Sequence, residues 1–342
     1  MLIGVCGYGY TGSGAVLDFL KEFEENVVID NMEFTLSYYP DGLEDLEYHL
    51  IKNVSRYFSS DAAIKRFNNY IKSLNTLRSP YKKLTNGKFY EISNRYIESL
   101  IQVKWKGYWA FDFINGCLWR KNFEFRFMLR ILNILDKILR RNTNLPPNHE
   151  MYLSVNPDDF YSLSKNYIKE LLCSICDTNK NIVLDQPFSA DNPEKSFAFF
   201  DKPIAITVDK DPRDLFLLAK KVVLSKGRFM PSDNVTDFIK YYKTIRTNEQ
   251  KSQDSSKVLR INFEDMIYEY EFTSKRIIEF LGLKSHDYPK KYFKPEVSIN
   301  NTQIFNKYMN YKEEIEYIEH ELKEWLYPFN KYGEIKSIGR SF

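Results

Sequence analysis

The sequence predicts an α/β protein of three layers: a mostly parallel sheet, opened by a strand–loop–helix unit and interrupted by a large helical insertion. Three observations carry that expectation. A short apolar run, Leu2 to Cys6, leads straight into the glycine-rich segment Gly7-Tyr8-Gly9-Tyr10-Thr11-Gly12-Ser13-Gly14-Ala15. Asn181 to Asp185 and Pro203 to Val208 are near-continuous apolar runs, the pattern of parallel strands covered on both faces. From about 42 to 170 the apolar spacing is mostly helical, rich in Tyr, Phe and Lys and poor in strand signals.

Taken in order, Val16, Leu17, Phe19, Leu20 and Phe23 recur at helical spacing, so a helix begins near Ser13. Val27 to Ile29 reads as a second strand running into Asp30-Asn31-Met32-Glu33-Phe34. Two prolines break the helical periodicity between Asn142 and His149, and a further helical pattern covers Asn166 to Asp177. Lys257 to Phe263 predicts a last strand, followed by a helix over Thr273 to Leu281 that Gly282 terminates. Ile315, Ile318, Leu322, Trp325 and Leu326 form one stripe of a C-terminal helix. The expected division is an α/β core of residues 1–41 and 180–342, with 42–179 as the helical insertion.

Composition narrows the function classes. With 43% apolar residues, 26 Phe and 25 Tyr, the 342-residue chain has ample material for a core. Its 49 basic and 46 acidic residues nearly balance, which gives no general attraction to nucleic acid or to membranes. Any anion site must be local. Four cysteines do not make a disulfide framework, and Cys173 and Cys176, inside a helical pattern, are expected to face the core. The four histidines are scattered without metal-ligand spacing, so no metal site is expected. The N-terminus shows no basic segment ahead of a long apolar stretch, and no run reaches the roughly 18 apolar residues that span a bilayer. A cytoplasmic protein without membrane insertion is the expectation.

The glycine segment is the strongest local signal for chemistry. Its glycines allow positive φ and bring successive amides near an anion, and the following helix adds unpaired N–H groups and its dipole. The anion site would run through Tyr10, Thr11, Gly12, Ser13, Gly14, Ala15 and Val16. Gly7 and Gly12 have the spacing of a nucleotide triphosphate loop, but Ser13 and Gly14 stand where such a loop has its lysine and hydroxyl residue. Asp209-Lys210-Asp211-Pro212-Arg213-Asp214 follows a buried strand, at the edge where open sheets bind ligands. Lys210 and Arg213 are expected as cations at the mouth of the same crevice. Glu33 ends the second strand and Asp185 the third, so both are candidate bases. The aromatic group Tyr108, Trp109, Phe111, Phe113 and Trp119 reads as core first and as a sugar-stacking surface second.

These segments, in this order, resemble sulfotransferases that use 3′-phosphoadenosine-5′-phosphosulfate (PAPS). The glycine loop resembles the 5′-phosphosulfate loop, and Lys210 to Asp214 resembles the segment whose leading basic residue holds the 3′-phosphate. Leu259-Arg260-Ile261-Asn262-Phe263-Glu264-Asp265-Met266 with Ile277 to Gly282 is similar to a further stretch of the family. Phe293-Lys294-Pro295-Glu296-Val297-Ser298-Ile299-Asn300-Asn301 resembles the late loop that closes over the nucleotide. The likeness covers the first 40 or so residues and about 180 to 326. It departs at Gly12, where the family carries a basic residue, and at Leu218, where it carries a serine. The resemblance implies PAPS as donor, a hydroxyl-bearing acceptor such as a carbohydrate, Ser298 and Asn300 as partners of the 3′-phosphate, and Glu33 as base, with Thr11 and Asp185 beside it. It also makes 42–179 an acceptor-binding lid. A non-catalytic binding module of the same fold and a kinase-like phosphoryl transferase stay open beside it.

Overall fold

The computed structural model describes residues 1–54, 58–107, 119–139, 149–221, 230–251 and 254–333. In chain order its strands are β1 (Leu2–Gly7), β2 (Asn26–Glu33), β3 (Val103–Gly107), β4 (His149–Leu153), β5 (Asn181–Asp185), β6 (Pro203–Asp209) and β7 (Val258–Asn262). Five of them form one sheet in the order β2-β5-β1-β6-β7, and every pairing in it is parallel. The expected apolar runs are those strands. The longer helices are α1 (Ser13–Leu20), α2 (Phe58–Leu74), α3 (Phe89–Leu100), α4 (Trp119–Leu139), α5 (Phe160–Ile175), α6 (Pro212–Lys221), α7 (Val235–Ile245), α8 (Tyr270–Leu281) and α9 (Lys312–Glu321).

Alternation along β1 divides the core into two faces. Ile3 and Val5 pack with Val16, Phe19 and Leu20 of α1 and with Tyr270 and Ile277 of α8. Leu2 and Cys6 point the other way, into a cluster with Ile64 and Phe67 of α2, Phe89 and Ile92 of α3, and Leu171 of α5. Helices therefore cover both faces, and the three layers are present. Helices α2, α3 and α5 share one hydrophobic cluster with the sheet. On that side Gly4 is dictated by close approach, because a Cβ there would run into the Phe188 ring and Pro187.

Two expectations change. Within the largely helical stretch, β3 and β4 pair antiparallel, Val103 opposite Leu153 and Gly107 opposite His149. β3 (Val-Lys-Trp-Lys-Gly) carries only two apolar residues, Val103 and Trp105, and both stay exposed, so an alternation this short does not stand out against the surrounding helical periodicity. Cys173 is exposed rather than in the core, while Cys176 is half-buried and Cys6 fully buried. Ser164, Tyr167, Ile168, Leu171 and Leu172 define the buried stripe of α5, and Cys173 lies off it. The aromatic group at Tyr108 to Phe113 and most of the 142–149 break lie outside the described residues, as does the side chain of Trp119. Gly282 ends α8 at φ 64, as expected of a left-handed C-terminal glycine. Ile315, Ile318 and Leu322 are buried, and Trp325 packs at the edge of their cluster beyond the end of α9.

Phe188 is 0% exposed at the centre of one face. Replacing it with alanine is expected to cost about 3–5 kcal/mol through lost burial and a residual cavity, read as a lower midpoint in urea unfolding.

Candidate functional site

Parallel register brings the C-terminal ends of all five strands to one edge. Gly7 lies opposite Val208, Asp209 opposite Asn262, and both Val5 and Glu33 opposite Asp185. At that edge the chain turns from β1 into α1 through three left-handed residues, Gly9 (φ 85), Tyr10 (φ 56) and Gly12 (φ 89). Gly12 is doubly constrained, since a Cβ would also strike the Phe263 ring.

The loop is framed from inside and from β5. Thr11, 1% exposed, accepts the Tyr8 amide on Oγ1 at 3.2 Å. Gln186, itself left-handed at φ 50, accepts the Gly7 amide on Oε1 at 3.0 Å and donates from Nε2 to Ser13 Oγ at 3.2 Å. The start of α1 itself is left open: Gly12 offers no side-chain cap, and no acidic residue stands in the first turn. The Ala15 amide donates to Gly12 O at 3.0 Å, which leaves the Ser13 and Gly14 amides without an intrahelical acceptor, and the helix dipole favours an anion there. The space beyond Gly14 is clear, with no atom within 4 Å of where its Cβ would be.

That end of α1 opens onto a cavity of about 690 Å³. Tyr10, Gly12, Ser13, Gly14 and Ala15 form one wall, Lys210 and Phe263 another, and Tyr292, Phe293, Lys294, Ser298 and Asn301 a third. Three segments far apart in sequence thus converge on one crevice. Asp18, one helical turn beyond Gly14, also lines it and is held by Lys21 at 2.7 Å.

In fold, the chain is similar to solved sulfotransferases. The sulfotransferase domain of an olefin synthase from Synechococcus PCC 7002 matches at 10% identity and a TM-score of 0.40, over 88% of this chain and 86% of that one. The sulfotransferase domain from the curacin biosynthetic pathway matches at 14% and 0.35, over 88% and 77%. A sulfotransferase of Mycobacterium tuberculosis matches at 12% and 0.32, over 88% and 76%. No protein-family model and no curated protein matches the chain. The likeness is distant and says nothing of donor or acceptor.

Several expected site residues take other roles. Thr11 does not line the crevice: it is buried and braces the loop from inside by accepting the Tyr8 amide. Val16 is 0% exposed and belongs to the core beneath α1. Arg213 is not at the crevice mouth. Its guanidinium is held by Asp211 at 2.7 and 2.9 Å and by Glu319 at 2.8 Å, and lies 4.2 Å from the Phe305 ring centre. Charge pairing and stacking make it a structural clamp. Asn300 does not line the crevice; its Nδ2 donates to Val297 O, and Asn301 takes the lining position.

Lys210 does reach the crevice, 3% exposed, but its charge is spoken for. Nζ donates to Asn301 O at 2.7 Å and sits 3.9 Å from the centre of the Phe263 ring. Burial lowers its pKa, while Glu264, Asp214 and Asp211 favour the ammonium. Burial pushes Glu264 up to about 8 and Asp214 to about 7 against the pull of Lys210. The exposed cation on the rim is Lys294, in the late loop. Phe263, Tyr292 and Asn301 also line the crevice, and no local signal in the sequence marks them as ligand contacts. Asp18 had a legible signal, lying four residues past Gly14 on the same helix face.

Glu33 and Asp185 lie at the same sheet edge but do not line the crevice. Burial raises Asp185 to about 7, with the Glu33 and Asp30 carboxylates adding to it, and its Oδ1 has no hydrogen-bond partner. Glu33 accepts from Tyr39 Oη at 3.4 Å. Among the described residues, no group of His, Cys, Asp and Glu is suited to a metal ion, and no helix is long and apolar enough to cross a membrane.

Because the folded pKa of Asp185 exceeds its unfolded value, its protonated form favours folding. Its contribution is full below about pH 4 and is lost as pH rises through about 7. Urea unfolding across pH 4–8 is expected to show that loss in the wild type and a flatter profile in Asp185→Asn; parallel profiles would contradict the assignment.

Proposed function

We propose that the chain is a sulfotransferase that takes PAPS in the crevice at α1 and sulfates a hydroxyl of a glycan or another polar metabolite. The observation that carries the reading is the uncapped α1 N-terminus, open at Gly14, facing a cavity also lined by Lys210, Lys294, Ser298 and Asn301. Such amides suit the 5′-phosphosulfate, and Phe263, Tyr292 and Phe293 offer rings to a purine. Lys294, Ser298 and Asn301 are the groups offered to the 3′-phosphate, with Lys210 behind them.

The donor supplies an electrophilic sulfur bonded to a phosphate oxygen. In the proposed transfer the acceptor oxygen bonds to sulfur as that bond breaks, and the bond's electron pair leaves with adenosine 3′,5′-bisphosphate. The acceptor's proton passes to a carboxylate. Asp185 and Glu33 are the two candidates, side by side at the same sheet edge next to the crevice, and burial with the neighbouring carboxylates raises the pKa of Asp185. The α1 amides stabilise charge on the leaving group without the basic residue that Gly12 replaces. The segment 42–179 is proposed as the acceptor side, and a cytoplasmic setting fits the unpaired cysteines Cys6, Cys173 and Cys176.

One observation favours a binding module of the same fold: the loop has no cation of its own, and Lys210 is already paired within the wall. The two readings part on turnover, since the module binds nucleotide and transfers nothing across an acceptor panel.

Thermal unfolding with adenosine 3′,5′-bisphosphate, ATP and GTP tests the donor. The bisphosphate is expected to stabilise most, by about 2.7 kcal/mol at 100 times its Kd. Gly14→Trp fills open space, so it should fold and lose the effect. Wild type that ignores the bisphosphate, or a Gly14→Trp variant that binds equally well, sinks the reading; Mg²⁺-dependent ATP binding would favour a kinase.

A further inference from the structure

Just past the C-terminus of α1, Glu22 is 0% exposed, and its carboxylate collects donors from one distant segment. Oε1 accepts the amides of Tyr292 and Phe293, each at 3.0 Å. Oε2 accepts the amide of Lys290 at 3.1 Å and pairs with His286 Nε2 at 2.6 Å. The His286 ring in turn stacks on Phe23, 4.6 Å between centres and 7° between planes. The backbone so gripped continues directly into Tyr292, Phe293 and Lys294 of the crevice wall.

We propose that Glu22 is a positioning residue for the nucleotide site, hanging the crevice's third wall from the far end of the helix whose first amides meet the anion. The inference rests on the donor reading above. A carboxylate is acceptor-only and can satisfy several converging amides at once; leaving one of them buried and unpaired is costly. α1 then serves both ends of one ligand: its start holds the phosphosulfate group, and Glu22 fixes the segment offering aromatic rings and Lys294. Pyrophosphate, which needs only the helix start, does not depend on Glu22, whereas the nucleotide does.

Glu22→Gln tests this, because one amide proton would then face the donors. Three measurements are made: adenosine 3′,5′-bisphosphate affinity, pyrophosphate affinity, and hydrogen exchange at residues 290–293. The expected result is a bisphosphate Kd raised tenfold or more, pyrophosphate binding changed less than twofold, and faster exchange at 290–293. Asp287→Asn is the stability control. It weakens a neighbouring tie, Glu24 N to Asp287 Oδ2 at 2.8 Å, away from the crevice, and should lower the melting temperature without moving either Kd. If Glu22→Gln does not fold, Glu22→Asp takes its place with the same expected differential. Unchanged exchange at 290–293, or equal weakening of both ligands, overturns the proposal. Wild type that binds neither ligand removes the donor reading, while the exchange measurement still decides whether Glu22 holds the wall.

Discussion

Everything at this sheet edge depends on one unfulfilled requirement: a helix that starts immediately after a central strand, with no side chain to satisfy its first amides. Proteins normally meet that need with Ser, Thr, Asp or Asn at the cap. Here a left-handed Gly12 occupies the cap. The residues that could have served are used elsewhere, Thr11 inside the loop and Ser13 as acceptor for Gln186. The loop is rigidly braced while its anion-facing donors are spared. Preorganised amides of this kind do not reorganise on binding, and in the proposed donor site they would stand in for the basic side chain that Gly12 replaces.

The sheet was legible because buried parallel strands write themselves as near-continuous apolar runs, as β1, β5 and β6 do, while β7 keeps Val258, Leu259 and Ile261 around Arg260. The loop and α1 were legible because glycine spacing and a switch to helical periodicity coincide at Ser13. What stayed hidden was the partner of each charge. Lys210 and Arg213 sit three residues apart in one motif, yet one reaches the crevice wall and the other clamps Asp211 to Glu319. Nothing local in Lys-Asp-Pro-Arg-Asp separates them, since the difference comes from α9, some hundred residues later. Asn300 and Asn301 were exchanged for a similar reason: a short turn decides which of two neighbours faces inward, and composition is silent on phase.

The electrostatics of the crevice also differ from what a list of basic residues suggests. Lys210 lies among Asp211, Asp214 and Glu264, with Phe263 over its ammonium. Desolvation makes isolated charges there expensive, and the three carboxylates favour the Lys210 ammonium while burial opposes the charges of Lys210, Asp214 and Glu264. In the proposed site, attraction for an anion would fall to the helix amides and to exposed Lys294, and specificity to shape and hydrogen-bond direction more than to net charge.

The register between β2 and β5 has its own meaning. Pairing runs evenly from Asn26 to Ile29, then jumps so that Glu33 meets Asp185. Residues 30 to 32 are surplus on one strand, and that surplus delivers an acid next to an acid. Proximity of the two carboxylates is thus a matter of chain length rather than of residue identity alone. The bulge therefore decides which residue of β2 stands beside Asp185, and with it part of the carboxylate environment that adds to burial in raising its proton affinity.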